Sequence, residues 1–487
     1  MKGKKISNTL SILTPNERLR LVKFVKGEVS GKETELVRMM ELAAKKNAIL
    51  WEDSKVWKAL YGSLTFDQQK YNHNCSRLLA LISPFLPILH FLRDESRVEL
   101  ARLQIFNQKE TFSEFERLCK DFSKSFTDKQ YATPEDQFLD FQIQLEKHRF
   151  LVSNPQIHLQ DNLAKVTPSF DLYWVIQKLQ LACYNSVHEK VIGGKIPDPF
   201  LPQLNYFLDN NPSFSQVPII RFYRILYQLI ESDSIAGADL FVDFIRNQKH
   251  ELPFAVVSGA FDLLMNYLIR CLNMNGNDQQ VKNLITFIYD WGFSDQWVYL
   301  NGRLRPEHFK NRALLFIRME QYEETKQFIE THQDKLDDSI RADLVELVNI
   351  HLNLRQNKLE GLEIRISSLR FTNPLYQISL KILRLQVRYQ NYWNKPGDYL
   401  NFGTVPYLKY LIGEIKNIIT FISKSKSISE YHKNTYCTRL SYMARLINAE
   451  NYPEALVHLK QEVQNVRLDD SSWILQQIDV RLTPPAH

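Results

Sequence analysis

Asn266 and Arg270 stand four residues apart inside the apolar run LLMNYLIRCL, so on a helix they share a face. Beside a groove, an amide and a guanidinium so placed can hold a carboxylate or a main-chain amide, because Arg presents five donors in a planar fork. The same spacing also suits an internal ion pair or a hydrogen bond to a neighbouring helix. Nearer the N-terminus the basic side chains are grouped. Arg18, Lys23 and Lys26 could face phosphates, and Lys70, Asn74 and Arg77 share the helix that would be the reader in a helix-turn-helix arrangement. A solvated basic face on an ordinary helical module is the plainer reading of those residues.

Catalytic spacings are missing. The chain contains no GxSxG, no GxxxxGK[ST], no GxGxxG and no HExxH. No two of its 12 histidines lie three or four apart, and His148 and His158 are separated by a proline-containing turn. The 5 cysteines, at 75, 119, 183, 271 and 437, include no CxxC. Cys119, Cys183 and Cys271 sit among apolar residues at helical spacing, as buried small side chains do. Glu323-Glu324 and Asp337-Asp338 are carboxylate pairs, but a helix start and a connector favour negative charge for dipole and capping reasons. The sequence thus predicts no enzyme, no metal and no cofactor.

The elements that must carry these residues are helices. Only 15 of 487 residues are glycine, roughly 3% against a usual share of about 7%, which leaves few tight turns and no phosphate-cradling loop. A hydrophobic content of 44%, with 12% aromatic, is ample for a folded core. All of the formal charge of +6 lies in residues 1–60, where 13 Lys and Arg meet 7 acidic residues; beyond them the charges cancel. The apolar run from Ile6 to Leu13 is broken by Ser7, Asn8, Thr9 and Ser11, too short and polar for a secretory signal. The longest later run, Leu78 to Leu92, carries Pro84, Pro87 and His90. Both point to a cytoplasmic protein without a membrane partner.

Three regions follow. Residues 1–93 form a basic module of short helices, one starting at Pro15 with Thr14 as cap, others over 32–46 and 53–61, and a fourth after Phe66-Asp67. Residues 94–192 read as helical hairpins, up to a Gly- and Pro-rich break over 193–199. Residues 193–487 repeat helix pairs whose first members start near Val217, Pro253, Pro306, Asp338 and Pro374, and a helix over 472–482 caps the series.

The clearest pair begins at Pro306. Phe309, Ala313, Phe316 and Ile317 share one helical face; Tyr322, Thr325, Phe328, Ile329 and His332 share another, across the three-residue turn 319–321. The pattern Phe309-x2-Arg312-Ala313-x2-Phe316, followed by Thr325-x3-Ile329, resembles the tetratricopeptide repeat. Ala455-x3-Leu459 matches its small-x3-large pair again. Arg312 stands where that family has Leu, and Asp337 where it has Pro, so the repeat is degenerate. The whole arrangement is similar to a bacterial family of helical-repeat proteins, a resemblance that brings no activity with it.

The resemblance implies an all-α fold, an α-solenoid of antiparallel hairpins, with the first helix of each pair lining a concave surface. Lys310 and Arg318, on such a helix, then join Asn266 and Arg270 as groove candidates. The function expected is a non-catalytic interaction scaffold that binds a peptide or protein. The alternative is a transcriptional regulator whose residues 1–93 bind DNA while the repeats bind a partner. Salt separates them, since phosphate contacts weaken steeply with ionic strength and groove contacts do not.

Overall fold

The computed structural model describes residues 2–29, 34–45, 53–127, 133–153, 160–191, 194, 196–232, 235, 237–274, 278–394, 401–402, 405–426, 428, 430–449, 452–465 and 471–482. Among them are 24 α-helices and two minimal β-hairpins, so the fold is all-α. The chain divides into two compact units, Met1–Asp128 with Phe138–Ser169, and Lys129–Gln137 with Phe170–His487.

The first unit opens with α1 (Lys2–Ser11), a helix where the sequence suggested only a broken apolar run. Ile6, Leu10 and Leu13 fall at helical spacing and are buried, and the polar residues between them turn outward or lie at the edge. Helix α2 (Pro15–Glu28) starts on a capping box: Thr14 Oγ1 accepts from the Glu17 amide, and Glu17 Oε2 accepts from the Thr14 amide at 2.7 Å. Glu17 also pairs with Arg93, tying the start of α2 to the far end of α5. Helices α3 (Thr34–Lys45), α4 (Asp53–Tyr61) and α5 (Gln68–Arg93) close a core around Leu21, Met39, Met40, Tyr71 and Leu78. A separate cluster joins α6 (Glu95–Gln108), α7 (Phe112–Thr127) and α8 (Pro134–Ser153), where Phe115 and Phe150 stack at 4.1 Å.

Helix α9 (Gln160–Val191) runs through Pro168, giving up one backbone hydrogen bond, and the division between units falls beside that proline. The expected break over 193–199 is not a boundary between cores. Val175, Ile176, Leu179 and Cys183 of α9 belong to the same apolar cluster as the helices beyond it. Polar contacts reinforce this: Ser186 Oγ donates to Glu231 at 2.6 Å, and Lys178 pairs with Asp198 at 2.7 Å.

The second unit continues with α10 (Leu201–Asn210), α11 (Pro212–Ser215), α12 (Pro218–Glu231), α13 (Ala238–Gln248), α14 (Phe254–Met274) and α15 (Gln279–Ser294). After a hairpin come α16 (Pro306–Arg318), α17 (Tyr322–His332), α18 (Asp338–Arg355), α19 (Leu362–Ser368) and α20 (Pro374–Asn394). The chain ends in α21 (Tyr407–Lys424), α22 (Glu430–Asn448), α23 (Pro453–Asn465) and α24 (Ser472–Leu482). Neighbours pack in pairs, α12 with α13, α14 with α15, α16 with α17 and α18 with α19, while α12 also touches α14 and α16 touches α18. The extra length between α14 and α16 holds the hairpin Tyr299–Leu300 with Arg303–Leu304, turned by Asn301 and Gly302 at φ 52° and 76°.

Two helices reach the length and hydropathy of a membrane span, which the sequence reading did not anticipate. An 18-residue window in α5 has mean hydropathy 1.6 and is 28% buried; one in α14 has 1.4 and is 61% buried. Prolines 84 and 87 interrupt backbone bonding in α5 but barely lower an average taken over that window.

Gly292 marks a close approach of α15 to α14 in the second unit. A Cβ there would lie 2.7 Å from two atoms of the Phe261 ring and 3.1 Å from Val298 Cγ1. Phe261 cannot move aside, since Tyr289, Trp297 and His308 ring it at centroid distances of 5.9, 6.0 and 5.3 Å. Gly292→Ala is therefore expected to destabilise the protein by about 1–3 kcal/mol of overpacking, offset by about 1 kcal/mol of helix propensity. A melting temperature equal to or above wild type would contradict this packing.

His332 packs against Phe293 and Phe328, both at 4.7 Å, and burial, with Lys335 adding to it, lowers its pKa. The unfolded chain then binds the proton more readily, so stability is complete above pH ~6.5 and is lost as pH falls through the folded value. Melting curves between pH 7.5 and 5 should fall more steeply for the wild type than for His332→Gln. Equal slopes would show that His332 titrates as it does in the unfolded chain.

Candidate ligand-binding cavity

Helix α16 is held from both ends. At its start, Asp262 of α14 accepts from Arg305 Nη1 at 2.5 Å and lies 2.9 Å from His308 Nε2, while Arg305 Nη2 donates to the Trp297 carbonyl at 2.9 Å. Burial works to raise the Asp262 pKa, but the contacts with His308 and Arg305 outweigh it and keep the carboxyl below its ordinary value. At its end, Arg318 Nη1 donates to Asn273 Oδ1 of α14 at 2.8 Å. Between these anchors Ala313 is fully buried, and Arg312 bonds Asp290 at 2.7 Å and lies 4.1 Å over the Phe316 ring.

Residues one and two turns apart on α16, Lys310, Leu314 and Ile317 with Asn311, Leu315 and Arg318, open onto a cavity of about 340 Å³, within the usual range for ligand sites. Helix α14 contributes Ile269, Leu272 and Asn273; α15 contributes Ile285 and Tyr289; α18 contributes His351, Leu354 and Arg355. Gln386, Tyr436, Ser472 and Trp473 complete the wall. Most of the surface is apolar, with donors set into it.

Three lining residues are cationic, and no lining residue is a carboxylate. Lys310 Nζ lies 4.9 Å from the Tyr376 ring, and burial, opposed by the Glu307 charge, lowers its pKa. Arg355 donates to Gln476 of α24 and stands 3.8 Å from Glu320, a loose pair. On α15, one turn before Ile285, Lys282 is 6% exposed; burial lowers its pKa, and the charges of Arg318 and Arg355 lower it further. Trp473 is also 6% exposed, and its indole N–H has no hydrogen-bond partner among the described residues.

The sequence candidates divide. Lys310 and Arg318 line the cavity. Asn266 and Arg270 do not: Asn266 is exposed and Arg270 half-buried, and the part of α14 that lines the cavity is its C-terminal end, through Ile269, Leu272 and Asn273. Arg355 and Trp473 went unnoticed because their nearness to α16 comes from packing of distant helices. In the first unit, Arg18 Nε donates to the carbonyls of Leu10 and Leu13 at 3.1 Å, closing α1. Lys26 pairs with Glu41 at 2.7 Å and Lys70 with Glu35 at 3.4 Å. Asn74, 8% exposed, donates to Tyr61 Oη at 2.8 Å and to Glu35 at 3.3 Å, so it is not displayed to a base edge. Lys23 and Arg77 are exposed.

No protein-family model matches the chain, and no curated protein and no solved structure matches it. Among the described residues no three His, Cys, Asp or Glu side chains cluster as metal ligands would, and no disulfide joins any of the 5 cysteines.

In protein whose lysines carry 13C-labelled dimethyl groups, two resonances should titrate below the ordinary lysine range, near 10.4. Lys310→Arg should delete one and Lys282→Arg the other. A titration with every lysine in the ordinary range would refute the burial assigned to both amines.

Proposed function

We propose that the protein is a non-catalytic, cytoplasmic binding scaffold whose second unit is a solenoid of tetratricopeptide-like hairpins receiving a peptide or protein partner. The observation that carries the reading is the cavity beside α16. Lys310 and Arg318, eight residues and so about 12 Å apart along that helix, both open onto it, with Arg355 beside them and apolar side chains between. Such a surface suits an acidic or main-chain group on an otherwise apolar partner segment. The competing regulator reading loses support, because Arg18, Lys26, Lys70 and Asn74 are engaged within their own unit.

The test is capture of partners from a native lysate by the full chain and by Leu314→Trp, with half of each sample treated with nuclease. Leu314 is half-buried and lines the cavity, so an indole there fills it. Partners held by the wild type, lost by the folded variant and indifferent to nuclease are expected. Capture that survives Leu314→Trp, or that vanishes with nuclease, overturns the reading.

A further inference from the structure

We infer that the cavity beside α16 takes a carboxylate carried on an apolar body, such as a peptide C-terminus ending in an aliphatic residue or a fatty acid. The inference rests on reading this cavity as the binding site and names the chemistry it selects. Two independent observations support it. The first is charge. Lys310, Arg318 and Arg355 line the cavity with Lys282 close behind, and Glu320, loosely paired with Arg355, is the carboxylate felt there. Guanidinium forks match the two oxygens of a carboxylate, and desolvation strengthens that match. The second is the Trp473 indole N–H, a buried donor in the same wall that has no acceptor among the described residues. Buried donors are rarely left unpaired, so this one calls for an acceptor brought into the cavity. Between the cations the wall is Ile269, Leu272, Ile285, Leu314, Leu315 and Leu354, which would exclude a fully hydrated anion and welcome hydrocarbon.

Two matched pairs of probes test this by calorimetry on the full chain: decanoate against decanol, and an acetylated pentapeptide ending in leucine as the free acid against its amide. At least one acid should bind ten times more tightly than its uncharged counterpart. The preference should collapse in Arg355→Gln and in Lys310→Met, and Trp473→Phe, which keeps shape but removes the donor, should weaken the acid about tenfold. Preference for the peptide acid identifies a chain terminus as the source, and preference for decanoate alone identifies a free fatty acid. Equal binding of acids and uncharged probes, or a preference unchanged in both cation variants, overturns the inference. If acids show no preference while Leu314→Trp still abolishes partner capture, the inference fails and the scaffold reading stands. If acids are preferred through Lys310 and Arg355 while capture survives Leu314→Trp, the scaffold reading fails instead.

Discussion

The close approach of α14 to α15 at Gly292 governs how the helices around α16 meet. Without a Cβ at that position the Phe261 ring enters the helix contact, and Tyr289, Trp297 and His308 assemble around it. His308 is already part of α16, and its ring nitrogen Nε2, 2.9 Å from Asp262, returns the contact to α14. One missing methyl group therefore fixes where α16 starts relative to the pair before it. The hairpin turned by Asn301-Gly302 delivers the chain to that place, and Arg305 Nη2 locks the delivery on the Trp297 carbonyl. Interiors packed to this density transmit such constraints, because side chains have no slack to absorb a shift.

The basic corner of the cavity follows from the same geometry. Arg318 is in the last turn of α16 and Arg355 in the last turn of α18, and these two helices pack on each other. Cations are favoured at helix C-termini by the exposed carbonyls. Each of the two ends closes with the same turn, in which Glu320 and Asn357 take left-handed φ values of 60° and 58° and the next amide reaches back five residues, to Phe316 and Asn353. Two equivalent helix ends brought side by side thus place two guanidinium groups at one mouth. Dipole pairing accounts for each arginine separately; it does not account for Lys310, which lies in the middle of α16 beside Tyr376.

Much of this was legible because helices announce themselves locally. The starts of α16, α18 and α20 fall on the expected residues, as do both ends of α4 and α24, since proline, aspartate and apolar spacing act within one or two turns. Helix α1 escaped notice because Ser7, Asn8, Thr9 and Ser11 lower the apparent hydrophobicity of a stretch that needs to bury only one residue per turn. The turn at Asn301-Gly302 was legible in principle, as Asn-Gly is the strongest short hairpin signal, but helical periodicity on either side drew the reading away from it. Half of the groove candidates line the cavity. Lys310 and Arg318 sit on a first helix, where groove residues are expected, whereas Asn266 and Asn273, seven residues apart and so on one face of α14, differ in which turn of that helix lies against the cavity. Tertiary facts of that kind are carried by no local pattern.

The same distinction applies to the basic N-terminal module, where Lys23 and Arg77 are exposed while Lys70 and Asn74 are engaged within the unit. Lys70, Asn74 and Arg77 share α5, the helix that would be the reader in a helix-turn-helix arrangement. In the fold Lys70 and Asn74 converge on Glu35 of α3 and Tyr61 of α4, with Lys70 Nζ 4.3 Å from the Tyr61 ring. The hydrogen bond from Tyr61 at 2.6 Å, with those from Lys70 and Asn74, keeps the Glu35 carboxyl ionised to lower pH than usual, against the cost of burial. This acid supplies within the protein the negative partner that a phosphate would otherwise provide. A positive formal charge over 60 residues measures how many cations a module carries; how many remain available is decided by the acidic residues its helices fold against.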